Sequence, residues 1–272
     1  MSEPVAPTSF LFLTLDSCRY DTFAAAVTPN LDSVGELHLA MAPANYTYAS
    51  HAAMFTGFTP GVFAITEPFV NPKFGRIFKM SRPEALNTRR NFVQLDGANI
   101  VDGFRRLGHH TIGTGAAGWF DPEAPTAQVL TRFFDRYFYP GNPYSLRRQL
   151  EFVHGELDAA ADRPAFVFIN VGETHVPYYH EGANWSPDVN PCVPFATDND
   201  AAECRRRQQA CLEWVDAELE PLLGRFAGAN ILVCADHGDA WGEGGLWEHG
   251  IHHQKVLEVP LLLRLPNPPV LA

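Results

Sequence analysis

Long apolar runs are missing from this chain. The run that opens it, Phe10–Leu15, is six residues long, far short of the roughly 18 that cross a membrane. A basic leader is missing too: Met1-Ser-Glu-Pro-Val-Ala-Pro-Thr8 carries no Lys or Arg, so the run behind it reads as a core strand and not a signal peptide. These two absences lead to the expectation of a soluble, cytoplasmic protein with no membrane partner. Positive charge is scarce. Lys and Arg number 20 against 31 Asp and Glu, a formal charge of −11, which argues against nucleic acid or an anionic membrane as partner. A small anionic substrate stays compatible, because a bound cation inverts the local field. Cysteines number five, at irregular spacing, which fits reduced thiols better than a disulfide framework. Cys204 and Cys211 read as core positions of a helix, Cys18 as a packing thiol beside Asp16, and Cys192 as a loop thiol open to solvent. Repeats and interdomain linkers are also absent, so residues 1–272 read as one domain.

What is there has ordinary globular composition, 46% hydrophobic and 19% charged, enough for an ample core. Strands are expected at 9–16, 37–42, 110–114, 165–171, 230–235 and 259–265, mostly as continuous apolar runs of the kind buried on both faces. Helical spacing joins Ile100, Val101, Phe104 and Leu107, with Gly108 as a stop. It also joins Leu146, Leu150, Val153 and Leu157 within 143–161, and Cys204, Cys211, Val215, Leu219 and Leu222 within 202–223. Strand and helix alternate, which points to an α/β fold: a mostly parallel central sheet with helices on both faces. Two stretches break the rhythm. Residues 60–95 interleave Phe63, Phe69, Phe74, Phe78 and Phe92 with Lys73, Arg76, Lys79, Arg82, Arg89 and Arg90, and 176–200 are rich in Pro, Asn, Asp and aromatics. Long irregular insertions are commonly binding loops, and both are expected to border a site.

Four residues far apart form a metal-ligand pattern. Asp16 ends the first apolar run, and Asp236-His237 end Asn230–Ala235. Thr47 opens Thr47–Gly57, a hydroxyl followed by a short helix. Parallel sheets present ligands at strand carboxyl ends. Two carboxylates, an imidazole and a hydroxyl suit a divalent ion such as Zn, Mn or Mg.

These segments resemble the alkaline phosphatase/sulfatase superfamily. Leu13–Asp21 is similar to its first metal-ligand strand, Thr47–Gly57 to its nucleophile helix, and Ala235–Asp239 to its second ligand turn. Leu246–Gly250 and Val259–Arg264 are similar to its closing segment, so the resemblance covers about 9–266. It implies an α/β sandwich that hydrolyses or transfers phosphate or sulfate esters, here without the C-terminal subdomain of large sulfatases. That leaves room for an open or oligomer-completed site and a homo-oligomer. Sulfatases of the superfamily convert a Cys or Ser in a Cys/Ser-x-Pro-x-Arg setting to an aldehyde. Thr47-Tyr48-Ala49-Ser50-His51 has neither the proline nor the arginine, and threonine cannot form that aldehyde. The resemblance thus implies Thr47 as nucleophile toward phosphate esters, although its side chain also suits a helix cap.

Ser50 competes for that role from one turn inside the helix, and His51, at the position of the sulfatase arginine, is a candidate for substrate contact. Arg19 and Asp21 match the pattern as a structural pair. His249, twelve residues past His237, and His175 resemble family histidines that contact the substrate or leaving group, while His252 and His253 stay undecided. One metal is expected; a second would draw on Glu173, Glu248 or Asp239. The function implied is a metal-dependent phosphomonoesterase or phosphodiesterase acting through phosphothreonine. The alternatives are a phosphotransferase with the same intermediate, a sulfate ester hydrolase, or a binding protein that keeps the fold.

Overall fold

The computed structural model describes residues 3–57, 78–81, 92–95 and 99–266. Strand β1 (Phe10–Leu15) is buried along its whole length. It lies between β7 (Ala165–Val171) and β8 (Asn230–Ala235), parallel to both, so each of its faces meets protein and both must be apolar. The pleat sorts its side chains by turns. Leu11, Leu13 and Leu15 face one way with Val167, Ile169, Ile231 and Val233. Phe10 and Phe12 face the other with Phe166 and Phe168.

The remaining sheet strands are β2 (His38–Met41), β5 (His110–Gly115), β6 (Arg136–Phe138) and β11 (Glu258–Arg264), in the order β2-β11-β8-β1-β7-β5-β6. Only β11 departs from the parallel direction, pairing antiparallel with β8 and β2. Two short ribbons stand apart from this sheet: β3 (Phe78–Ser81) with β4 (Phe92–Leu95), and β9 (Ala240–Trp241) with β10 (Trp247–Glu248).

The leucine face is covered by α6 (Leu146–Ala159) and α7 (Ala201–Arg225). They contribute Leu146, Leu150, Val153, Leu157, Leu212, Val215, Leu219 and Leu222. The phenylalanine face is covered by α3 (Thr47–Thr56), α4 (Ile100–Arg106) and α5 (Gln128–Thr131), through Phe55, Val101, Phe104 and Leu130. The short α1 (Tyr20–Phe23) and α2 (Pro29–Asp32) follow β1, and α8 (Gln254–Leu257) leads into β11. The expected architecture of a mostly parallel sheet between helical layers is the observed one. Strand β6 was not expected, because three residues, Arg136-Tyr137-Phe138, are too few to display a period.

Asp200 caps α7 by accepting the Ala202 and Glu203 N–H groups, and Asn99 caps α4 by accepting that of Asp102. Gly57 ends α3 in the left-handed region at φ 61°, a conformation that glycine adopts without strain. Residues 176–200 do not hang over the sheet edge as a free loop. Val176, Tyr178 and Cys192 are buried with Cys204, Cys211 and Trp241. Cys192, expected to face solvent, is therefore a core thiol, and its Sγ reaches the Ala240 carbonyl at 3.5 Å. All five cysteines are buried and free. Of the aromatic and basic residues singled out within 60–95, Phe78, Lys79 and Phe92 belong to β3 and β4, and the others lie outside the described residues. Among the described residues, no helix is long and apolar enough to cross a membrane.

Candidate functional site

Sheet register brings the acidic residues together. Leu15 of β1 lies opposite Ala235 of β8, so the next residues, Asp16 and Asp236, leave adjacent strand ends side by side. The backbone then turns sharply: Ser17 sits at φ 59° and its N–H donates to Asp236 Oδ1 at 3.1 Å. The His237 N–H donates to the same oxygen at 3.0 Å. Asp236 Oδ2 is left buried without a hydrogen-bond partner.

His237 Nδ1 bonds the Gly238 carbonyl at 3.0 Å. That bond places the proton on Nδ1 and leaves the Nε2 lone pair free, the usual way a second contact fixes a ligand tautomer. Nε2 lies 3.7 Å from Asp16 Oδ1 and 3.6 Å from Asp236 Oδ2. Thr47, the first residue of α3, brings its Oγ1 to 3.3 Å from His237 Nε2 and 3.5 Å from Asp16 Oδ1. Donors bonded at ~2.0–2.2 Å around one tetrahedral ion stand about 3.3–3.6 Å apart, close to the spacing found here. All four side chains are at least 98% buried.

Electrostatics point the same way. Burial, then the neighbouring Asp236 charge, raises Asp16 from its ordinary value. Burial raises Asp236 to about 6. Burial, then His249, holds His237 down at about 4, so it is neutral. Two carboxylates that resist joint ionisation, an orphaned carboxylate oxygen and a neutral imidazole make an environment that a cation offsets. The residues fit a divalent ion: Asp16, Asp236 and His237 offer ligand atoms close enough to share one, and the Thr47 hydroxyl lies beside them.

A second layer fixes the first. Asn170 Nδ2 reaches Asp16 Oδ2 and Thr14 Oγ1, both at 3.4 Å, while its Oδ1 accepts the Ala116 and Ala117 N–H groups. Asn170 was not singled out from the sequence. The visible signal was a lone amide inside the apolar run Phe168-Ile169-Asn170-Val171. Arg19, 1% exposed, pairs with Asp21 at 2.7 Å and Glu243 at 2.8 Å, and donates to the Asp239 carbonyl at 3.2 Å. It ties the first strand end to the turn after His237. A Cβ at Gly238 would run into the Lys255 carbonyl, so this turn admits only glycine.

His51 backs the site from the core, with its Nδ1 3.7 Å from Asp236 Oδ2. Its Nδ1 bonds the Thr47 carbonyl at 2.8 Å, its Nε2 accepts from the Thr14 hydroxyl at 2.9 Å, and its ring lies 4.9 Å from that of Phe120. It is a neutral core histidine, depressed to about 3 by burial. Ser50, equally buried, donates to the Ala44 carbonyl at 3.2 Å, pointing back along its own chain. Thr47 is the first helical residue and not the cap, which is Tyr46. Glu173 is no part of the cluster: its Oε1 accepts the Leu146 N–H that opens α6, at 2.8 Å.

His175 and His249 stand at the rim, their rings 5.0 Å apart, with His249 4.4 Å from His237. His175 Nδ1 donates to the Val176 carbonyl at 2.8 Å, and His249 Nδ1 meets Asp239 Oδ1 at 2.7 Å. Burial lowers His249, but the hydrogen bond and charge of Asp239 outweigh it and lift the imidazole to about 9. His237, Asp239 and His249 form a second group close enough to share a cation, beside that of Asp16, Asp236 and His237. His252 and His253 belong to neither group; His253 caps α8 by accepting the Lys255 N–H.

The sheet order and this cluster at the strand carboxyl ends agree with an alkaline-phosphatase-like fold. The chain belongs to the Sulfatase family, whose model matches residues 10–268. No curated protein sequence matches it. Among solved structures, the C-terminal periplasmic domain of the phosphoethanolamine transferase EptC from Campylobacter jejuni superposes with a TM-score of 0.62. It is 13% identical, over 97% of this chain and 83% of that one. The phosphonate monoester hydrolase of Agrobacterium radiobacter gives 0.61 at 15% identity, over 94% and 68%. The corresponding EptC domain from Escherichia coli, in complex with Zn, gives 0.62 at 13% identity, over 97% and 73%. These are likenesses of fold.

Proposed function

We propose that this chain is a metal-dependent phosphoester hydrolase in which Thr47 attacks phosphorus and is transiently phosphorylated. The observation that carries the reading is the place of Thr47 Oγ1, at the first turn of α3 and within 3.5 Å of both Asp16 and His237. A divalent ion held there supplies charge neutralisation and a lowered hydroxyl pKa. The residues supply the rest. Free N–H groups of the first turn of α3 steady the phosphoryl oxygens once they are on Thr47. As the Thr47 Oγ1–phosphorus bond forms, the bond to the leaving oxygen breaks. His249 Nε2 gives that oxygen its proton, and the Thr47 hydroxyl proton passes to water. A water then attacks phosphorus and gives its proton to His249 as the bond from phosphorus to Thr47 Oγ1 breaks; solvent returns a proton to that oxygen, which frees phosphate and restores the threonine. His175, beside His249, contacts the departing group.

Passage of the phosphoryl group to an alcohol or amine would make the enzyme a phosphotransferase. Partial exposure of both rim histidines supports water as acceptor. The aldehyde route of sulfatases is closed to Thr47. The five buried free thiols support a reducing compartment, although EptC neighbours are periplasmic domains; cell fractionation decides between the two. The substrate is a small anionic ester.

The test is turnover of aryl phosphates by metal-loaded protein with no added acceptor. Free phosphate released as fast as the phenol supports hydrolysis. Phosphate transfer that needs an added alcohol or amine turns the reading to transferase, and no turnover of any ester overturns it.

A further inference from the structure

The segment 176–200 delivers one side chain beneath the rim. Tyr178 is fully buried, and its hydroxyl donates to Asp239 Oδ2 at 2.8 Å. That hydroxyl in turn accepts from Trp241 Nε1 at 2.7 Å. Trp185, from the same segment, donates its Nε1 proton to the Tyr178 carbonyl at 2.8 Å. Trp241 is held by Arg19, whose guanidinium lies 4.1 Å above its ring. Asp239 therefore has a partner on each oxygen: Tyr178 on Oδ2, and His249 Nδ1 on Oδ1 at 2.7 Å.

We infer that Asp239 is a positioning residue for His249, locked by the Trp241–Tyr178 pair, and is not a ligand of a second cation. The inference rests on the proposed role of His249 as proton donor. A carboxylate on Nδ1 fixes the proton at that nitrogen and turns Nε2 toward the reacting group. The indole and phenol hydrogen bonds fix the carboxylate itself. Of the two rim histidines, His175 has a backbone carbonyl in the equivalent place, and His249 is the one backed by a negative charge. The irregular segment 176–200 thus acts on the chemistry from behind, through Tyr178.

The experiment compares Asp239→Asn, Tyr178→Phe and His249→Ala with wild type on an alkyl and a nitrophenyl phosphate, with metal content measured in each. Loss of an orienting partner costs roughly 10–100-fold, and only a poor leaving group needs the proton. Asp239→Asn is expected to lower kcat on the alkyl ester by that order at nearly unchanged KM. It should also raise the nitrophenyl-to-alkyl rate ratio about tenfold or more, with metal stoichiometry intact. Tyr178→Phe should shift the same ratio in the same direction by less. Thermal melts establish that each variant is folded, and if Asp239→Asn is not, Tyr178→Phe decides alone. Metal lost in Asp239→Asn overturns the inference in favour of a cation ligand. An unchanged ratio in both Asp239→Asn and Tyr178→Phe, beside a raised one in His249→Ala, overturns it while sparing the acid role. An unchanged ratio in His249→Ala removes the acid role and the inference with it.

Discussion

Leu15 of β1 pairs with Ala235 of β8, and that single register match places Asp16 against Asp236. A slip of one residue would turn one carboxylate to the opposite face of the sheet. The core, not the site, enforces the match, because Leu11, Leu13, Ile231 and Val233 must stay on the α6–α7 face. Hydrophobic burial thus holds two like charges together without any favourable contact between them. Binding of a divalent ion would relieve that conflict.

Asp236→Asn should lose most of its bound metal. The substitution keeps the volume but removes one of two charges, and it leaves the group buried at Oδ2 facing a cation with a neutral dipole. Elemental analysis of purified wild type and variant measures it. Metal loading should also raise the melting temperature of the wild type, since an ion at about 100 times its Kd adds roughly 2.7 kcal/mol. Equal metal occupancy in both proteins would remove Asp236 from the ligand set.

Thr47→Ala should lose several orders of magnitude in kcat while its fold persists, because the side chain ends at the cluster and carries none of the core. Thr47→Ser should retain part of the rate. Acid-quenched wild type should carry phosphate on Thr47 by mass spectrometry. Near wild-type turnover by the alanine variant would mean that water attacks phosphorus directly.

Phosphate esters should be hydrolysed faster than the matching sulfate esters. Under the proposed mechanism Thr47 would supply an alkoxide nucleophile, threonine cannot form the sulfatase aldehyde, and two rim histidines suit a charged phosphoryl group. Nitrophenyl phosphate, a bis-phosphodiester and nitrophenyl sulfate, assayed side by side, settle the order. Sulfate as the better substrate would contradict this assignment.

Much of the fold was legible because buried parallel strands announce themselves. Phe10–Leu15, Ala165–Val171 and Asn230–Ala235 are short, largely apolar runs, and the first and last end directly in Asp16 and Asp236. The cluster of Asp16, Asp236, His237 and Thr47 was readable for the same reason: its members are strand-end or helix-start residues. What was not legible depends on contacts between distant segments. His51 is three-dimensionally a core residue, although its place beside Thr47 in the chain suggested the site. Tyr178 looks like one aromatic among many in 176–200, and its hydroxyl gains meaning only once Asp239 lies 2.8 Å away. Glu173 sits two residues before His175, yet it turns to the first turn of α6.

That turn makes Glu173 a source of pH-dependent stability. The side chain is fully buried, with Oε1 on the Leu146 N–H and Oε2 without a partner. Burial lifts its carboxyl from 4.5 to about 7, against the lowering effect of backbone N–H groups. Between these two values the folded protein holds a proton that the unfolded chain has released. Stability from neutral Glu173 is therefore complete below pH 4.5 and is lost as pH rises toward 7. At 1.36 kcal/mol per unit the full loss is about 3 kcal/mol. Glu173→Gln keeps the acceptor for Leu146 and cannot ionise, so it should be the more stable protein at pH 8 by up to that amount, and close to wild type at pH 4.5. Urea unfolding of metal-free wild type and variant across pH 4.5–8 measures the difference. Parallel curves for the two proteins would show that Glu173 ionises in the folded state as easily as in the unfolded one.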